Sequence, residues 1–394
     1  MPWQTHSPMS RRQEFIDARL DARSLSMRAL CAQFGISEKT GYKWWARFRA
    51  GGPAALADVS KAPKVPPHQL TPAVRDAILA LREAHPTWGA RKLRVVLQRT
   101  EPTTEWPAAS TIQQVCKRAG LIPARRRRAP TEAAWATTAL TDAAAPNDVW
   151  ATDFKGEFRL QPGPYCYPLT VTDLHSRLLL ACTALASTAS APVQQVFTTL
   201  LQHYGLPRVI RSDNGVPFAQ PHALGGLSRL AVWGIRLGIR PERTAKGVPQ
   251  QNGAHERMHR TLKAEATRPV AATLAAPQQQ FDRWRHEFNT ERPHEALGQT
   301  CPSAHYVASD RRWPRRLPLL EYPSHAELRC VDGSGSITLH GVKCFLSTVL
   351  AGEYVALEEV ADARWQVRFG PLHLGHWVAR DDTFEPELRW LAMP

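Results

Sequence analysis

No stretch of this chain stays apolar for the roughly 18 residues that a membrane span requires. The opening MPWQTHSPMSRRQEF holds no apolar segment of the kind that directs secretion. Cysteine pairs are missing as well. Cys31, Cys116, Cys166, Cys182, Cys301, Cys330 and Cys344 are odd in number, scattered, and never spaced C-x-x-C. That excludes a disulfide framework and a cysteine-held zinc ion, and it fits a reducing, cytoplasmic compartment. Negative charge is scarce: 35 Asp and Glu stand against 50 Lys and Arg, a net charge of +15. An excess of that size points to a polyanionic partner, nucleic acid first, and not to a membrane.

What is present is long enough for several domains, since 394 residues at roughly 100–200 per domain allow two to four. Residues 10–52 read as helices. A short amphipathic turn, Met27 to Gln33, leads through Phe34-Gly35-Ile36 to a helix capped by Ser37. Helix, glycine turn and a second helix bearing Lys39, Thr40 and Lys43 make a helix-turn-helix pattern, with those three side chains set to meet DNA. A Pro/Ala/Lys-rich linker follows. Residues 68–123 repeat the theme as a second, winged-type unit. Thr71-Pro72 starts one helix, and a basic helix comes next with Arg91, Lys92 and Arg94 outward and Leu93 and Leu97 inward. Residues 124–145 form a basic linker whose run Arg125-Arg126-Arg127-Arg128 is suited to tracking phosphates.

At Val149 the periodicity changes from helical to alternating. VWATDF, YPLTVT and Arg177 to Leu185 read as an antiparallel meander, with Asp173 in a hairpin turn. A helix from Pro192 to Tyr204, a short strand ending at Arg211, and Ser212-Asp213-Asn214-Gly215 beyond it complete a mixed α/β pattern over residues 146–300. Residues 326–385 are short strands separated by turns, which suggests a small β-barrel. Arg364 and Arg368 there suit either DNA contact or edge-strand charge.

The stretch QQNGAHERMHRTLK carries the chemistry. Asn252-Gly253 opens a helix on which Met258 and Leu262 face inward, while Glu256, Arg260 and Lys263 share an exposed face. His255-Glu256-Arg257-Met258-His259 also matches H-E-x-x-H, the zinc metalloprotease string. The other reading of Glu256 joins it to Asp153, at the end of the first core strand, and Asp213, beyond a later one. Three carboxylates converging from strands and a helix are hard oxygen ligands suited to magnesium or manganese, and two such ions support in-line phosphoryl transfer. Zinc proteolysis gives Asp153, Asp213 and the basic surface no role.

WATDFKG, SDNGVPF, PQQNGAHERMHRTLK and NTERPHEAL, in this order, resemble the core of insertion-sequence DDE transposases of the retroviral-integrase superfamily. The resemblance implies a multidomain chain: all-α helix-turn-helix units, an α/β ribonuclease H-like core and a C-terminal small β-barrel. It implies that Asp153, Asp213 and Glu256 hold Mg2+ or Mn2+, two ions, and that Arg260 and Lys263 meet DNA phosphates. It further implies cleavage at element ends, joining of 3′-hydroxyls to target DNA, a homo-oligomer holding two ends, and a bacterial, nucleoid-associated location. A non-catalytic DNA-binding regulator on the same fold is the alternative. The chain departs from retroviral integrases in two ways. Its N-terminus lacks their His/Cys zinc unit, and 42 residues separate Asp213 from Glu256, with Gln220 to Gly238 reading as an inserted helix.

Overall fold

The computed structural model describes residues 8–21, 25–59, 70–122, 140–161, 163–245, 253–267, 273–380 and 383–391. Arg125 to Arg128, and Asn252 at the head of the carboxylate helix, lie outside the described residues. The chain divides into two units, at about residue 72.

The first unit holds α1 (Pro8–Asp21), α2 (Met27–Gln33) and α3 (Glu38–Gly51) around Phe15, Ile16, Met27, Leu30, Cys31 and Leu56. Ser37 caps α3 by accepting the Thr40 N–H at 3.2 Å. The turn depends on Gly35 at φ +65°, a conformation that L side chains rarely adopt. At Gly41 a Cβ would lie 2.3 Å from the Cys31 sulfur, so glycine is what lets α3 approach α2 this closely.

The second unit begins with α4 (Pro72–Ala84), α5 (Ala90–Thr100) and α6 (Ala109–Arg118), packed through Ile78, Leu93, Leu97 and Ile112. No strand follows α6 among the described residues up to the core, so the expected wing is not seen there. These helices sit against the core. Arg99 reaches the Glu291 carbonyl at 2.8 Å, and His85 meets Glu287 at 3.2 Å.

The core sheet contains β1 (Val149–Phe154), β2 (Phe158–Arg159), β3 (Tyr165–Asp173), β4 (Leu179–Leu185), β5 (Val209–Ser212) and β6 (Arg240–Arg243). β3 and β4 continue the antiparallel meander from β1, as the alternation predicts, while β5 and β6 add on parallel to β1. α7 (Ser190–Tyr204) and α8 (Arg229–Arg236) cover one face. α9 (Gly253–Glu265) and α10 (Ala275–Thr290) cover the other through Met258, Leu262, Phe281, Trp284 and Phe288.

α8 corrects one expectation. It is not an insert: it carries the chain from β5 to β6, and parallel neighbours require such a crossover. Its outer side is also used, since Ala231, Val232 and Ile235 share a core with Val355, Leu357, Phe369 and Trp377 of the C-terminal domain. That domain contains β7 (Glu327–Cys330), a hairpin of β8 (Ser336–Leu339) and β9 (Val342–Phe345), then β10 (Tyr354–Ala361), β11 (Arg364–Phe369), β12 (Leu372–Val378) and β13 (Thr383–Trp390). It is antiparallel, as the turns predict. Its five-stranded sheet runs β13-β12-β11-β10-β7, and the β8–β9 hairpin packs into the same core through Ile337, Leu339 and Cys344.

Glu265, at the end of α9, ties the helical module to the core. It receives Arg292 at 2.9 Å, the Trp284 indole N–H at 2.6 Å and the Thr87 hydroxyl. Arg292 is buried, so removing its partner strands a charge. Glu265→Ala is expected to cost about 3–5 kcal/mol, read as a lower urea midpoint, with Arg292→Met recovering much of the loss in the double variant.

Candidate active site

The alternation of β1 decides where Asp153 points. Trp150 and Phe154 pack on the α7 side, so Asp153 emerges on the face that α9 covers. Its antiparallel partner is Thr170 on β3. The Thr170 hydroxyl donates to the Asp153 carbonyl at 3.0 Å and lies 2.8 Å from His255 Nε2 and 2.6 Å from His259 Nε2. A hydroxyl has one proton to give, so both imidazoles donate from Nε2. Burial drives the His255 pKa down to about 3, and burial, His255 and Lys155 together lower that of His259, so both rings are neutral at pH 7.

Asp213 lies just past the end of β5, where its Oδ1 accepts the Gly215 N–H at 3.0 Å. A Cβ on Gly215 would stand 3.0 Å from the other carboxylate oxygen, so glycine gives that carboxylate room. Glu256 is exposed in the first turn of α9. Asp153 senses the charges of the other two. The Asp153 pKa is pushed up to about 7, first by burial, then by the charge of Asp213 and, less strongly, of Glu256. No Lys or Arg forms an ion pair with any of the three among the described residues. His259 Nδ1, left as a lone pair, faces the Asp153 carboxylate at 3.7 Å. Once Asp153 has lost its proton, acceptor atoms face one another there, an arrangement that favours a cation.

The H-E-x-x-H string takes a different part from the one its spacing suggests. Asp153, His255 and His259 each bring a ligand atom within 4.8 Å of the others. Yet both Nε2 atoms are engaged with Thr170, and Glu256 lies on the exposed side of the helix, away from the buried imidazoles. The pair fastens α9 to the sheet.

Arg260 and Lys263 are exposed on α9. On α3, Lys39 and Lys43 are exposed, while the Thr40 hydroxyl is held by Ser37 at 2.9 Å. Lys43 also stands over the Trp44 ring at 5.1 Å. Arg91 and Arg94 are exposed, as expected, but Lys92 departs from the outward expectation. Arg91 bonds Glu295 at 2.7 Å, and Lys92 lines a cavity of about 360 Å³ against the core. Burial, then Arg292, lowers the Lys92 pKa to about 8. Arg177, Arg257 and Arg260 line the same cavity, and none of these four has a carboxylate ion pair among the described residues. Arg177 sits at φ +63° in the turn that Asp173 holds by accepting the Ser176 N–H and hydroxyl. Sequence reasoning missed Arg177, Arg257 and Thr170. Only the alternation of YPLTVT, with Thr170 and Thr172 opposite Leu169 and Val171, hinted at a polar stripe. In the C-terminal sheet, Arg364 and Arg368 bond Glu385 and Glu358 at 2.7 and 2.9 Å, which favours their strand-charge role.

Comparison with known families agrees with this layout. Two integrase core domain models match residues 143–249 and 237–302, a helix-turn-helix domain model matches 11–64, and a homeodomain-like domain model matches 40–116. The Gag-Pol polyprotein of baboon endogenous virus is 30% identical over 206 residues, which is 50% of this chain and 11% of that protein. An insertion element IS476 protein of Xanthomonas euvesicatoria is 25% identical, covering 62% of this chain and 67% of its own length. An insertion element IS407 protein of Burkholderia multivorans is also 25% identical, covering 55% and 74%. The catalytic core of BIV integrase aligns over 41% of this chain and 93% of its own at 21% identity, with a TM-score of 0.31, too low to bear weight. No helix among the described residues is long and apolar enough to cross a membrane.

A carboxyl whose folded pKa lies above its ordinary value binds more protons folded than unfolded. Asp153 therefore withdraws stability as pH rises from about 4 to about 7. In metal-free protein, Asp153→Asn is expected to raise Tm at pH 8 by on the order of 2–4 °C, with the difference closing towards pH 4. A Tm gap of the same size at both pH values would contradict it.

Proposed function

We propose that this chain, which carries an integrase core domain behind helix-turn-helix units, is the DDE transposase of an insertion sequence. It binds the ends of its element, cleaves DNA there, and joins the 3′-hydroxyls to target DNA. The observation that supports this reading is that the charges of Asp213, beyond a strand end, and Glu256, on a helix, both raise the pKa of Asp153 on β1. A phosphodiester offers no easy electrophile, so positioning and charge stabilisation have to do the catalytic work.

The donor set fits a divalent metal: hard carboxylate oxygens, an excess of acceptors, and no Lys or Arg ion-paired with them among the described residues. Asp153, Asp213 and Glu256 would hold Mg2+ or Mn2+, as a pair of ions. Bound there, the metal supplies stabilisation of charge on the attacking and leaving oxygens. The protein's own side chains place the DNA. Arg260 and Lys263 share the exposed side of α9 with Glu256 and would grip the phosphates flanking the reacting bond. Arg177, Arg257 and Lys92 extend that cationic surface into the cavity beside α9, while Lys39 and Lys43 on α3, with Thr40 in its capping turn, suit end recognition. Arg94 and the run Arg125 to Arg128 add non-specific phosphate contacts. The working form is a homo-oligomer pairing two ends, in the bacterial cytoplasm on nucleoid DNA.

Strand transfer with the element's own end DNA and Mg2+ or Mn2+ tests the assignment. Asp153→Asn, Asp213→Asn and Glu256→Gln should each abolish joining while end binding persists. Wild type that binds ends but never cuts or joins under either metal would instead be a DNA-binding regulator. Arg177→Gln and Arg257→Gln should each lower the slope of log K against log salt by about one. An unchanged slope in both would remove the cavity from the DNA path.

A further inference from the structure

The C-terminal sheet carries a cluster that the proposed reaction does not use: His373 and His376 on β12, and Glu387 on β13. Residues three apart on a regular strand point to opposite faces. Here the pairing with β11 skips Leu374, moving from Val367↔Gly375 to Arg368↔His373, and that bulge shifts the alternation by one. The two imidazoles consequently emerge on the same face, with ring centroids 5.0 Å apart. Pairing with β13 also slips between His373↔Arg389 and Gly375↔Pro386, and Glu387 falls within that slip. Gly375 makes the close approach feasible. A Cβ there would lie 2.2 Å from the Glu385 carbonyl oxygen, and its φ of +147° is one that other residues rarely adopt.

The cluster is not satisfied by its own hydrogen bonds. His373 is 0% exposed, and neither ring nitrogen has a partner. A buried imidazole left in that state is costly. Its Nε2 is 3.7 Å from Glu387 Oε2, and His376 Nδ1 is 3.7 Å from the same oxygen. Those separations are too long for hydrogen bonds. They are close to the edge of a zinc tetrahedron, about 3.3 Å for ligands roughly 2.0–2.1 Å from the ion. One neighbouring cation competes for the carboxylate, Arg389, whose Nε lies 3.9 Å from Glu387 Oε1. It approaches the other carboxylate oxygen and leaves Oε2 to the histidines.

We propose that His373 Nε2, His376 Nδ1 and Glu387 Oε2 form a transition-metal site, zinc first among the ions that suit two imidazoles and one carboxylate. The fourth position faces outward, since Glu387 is 55% exposed, and is open to water. The site clamps the edge strand β13 onto β12. It is separate from the three core carboxylates in both position and ligand type.

Zinc and cobalt titrations of the full chain test this, in an Asp153→Asn background so that the core carboxylates and the neighbouring His255 and His259 are disarmed. One Zn2+ per chain is expected, with Co2+ giving the visible absorption of a four-coordinate site and Zn2+ raising Tm. His376→Gln and Glu387→Gln, at partly exposed positions chosen to spare the fold, should each weaken Zn2+ binding by no less than roughly 100-fold, the upper cost of losing even a ligand's supporting partner. Both should retain the far-ultraviolet circular dichroism of the parent. Absence of stoichiometric Zn2+ in the Asp153→Asn chain would overturn the proposal, as would Zn2+ binding unchanged in both variants. Neither outcome bears on strand transfer, which does not require this cluster.

Discussion

The placement of α9 rests on one hydroxyl. Thr170 lies under the helix and accepts a bond from each of two buried imidazoles, while its own proton goes to the carbonyl of Asp153. That network fixes the helix against the strand that carries the buried acid. Buried polar groups are expensive unless paired, so the arrangement has little freedom to slide. Glu256, on the adjoining exposed side of the same helix, inherits its position from it. The neutrality of both histidines follows from the same burial and keeps them from neutralising Asp153 as cations would.

Around that contact the fold separates two tasks. Asp153 lies on the sheet face under α9, with the charges of Asp213 and Glu256 near enough to raise its pKa. The rims carry positive charge: Arg260 and Lys263 on the helix, and Arg177, Arg257 and Lys92 around the cavity. Where the chain requires charge for structure, it pairs it. Arg292 with Glu265 and Arg211 with Glu242 are buried ion pairs at 2.9 and 2.7 Å, and each joins separate segments of the second unit.

Much of this was legible in the sequence. The switch from helical to alternating periodicity at Val149, the caps at Ser37 and Thr71-Pro72, and the turn glycine Gly35 depend on local rules that operate over a few residues, and the elements appear where those rules place them. The three acids were singled out because their surrounding words, WATDFKG, SDNGVPF and HERMHRTLK, resemble a family core. Other features were not. α8 reads as an insert because nothing local announces that β5 and β6 are parallel neighbours. Lys92 reads as outward because the basic helix looks amphipathic by itself, and the core that it packs against lies two hundred residues away.

The amino-acid sequence by itself determined the helix-turn-helix caps, the strand alternation that sends Asp153 to one face, and the acid followed by cations on the exposed face of α9. Each is a property of neighbouring residues and needs no partner. Tertiary structure alone decided that His255 and His259 are anchors on Thr170, that Asp153 holds its proton up to about pH 7, and that His373, His376 and Glu387 come together across a bulge. Those outcomes depend on burial and on register between segments distant in the chain. Desolvation and cross-strand pairing exist only once the chain has closed on itself.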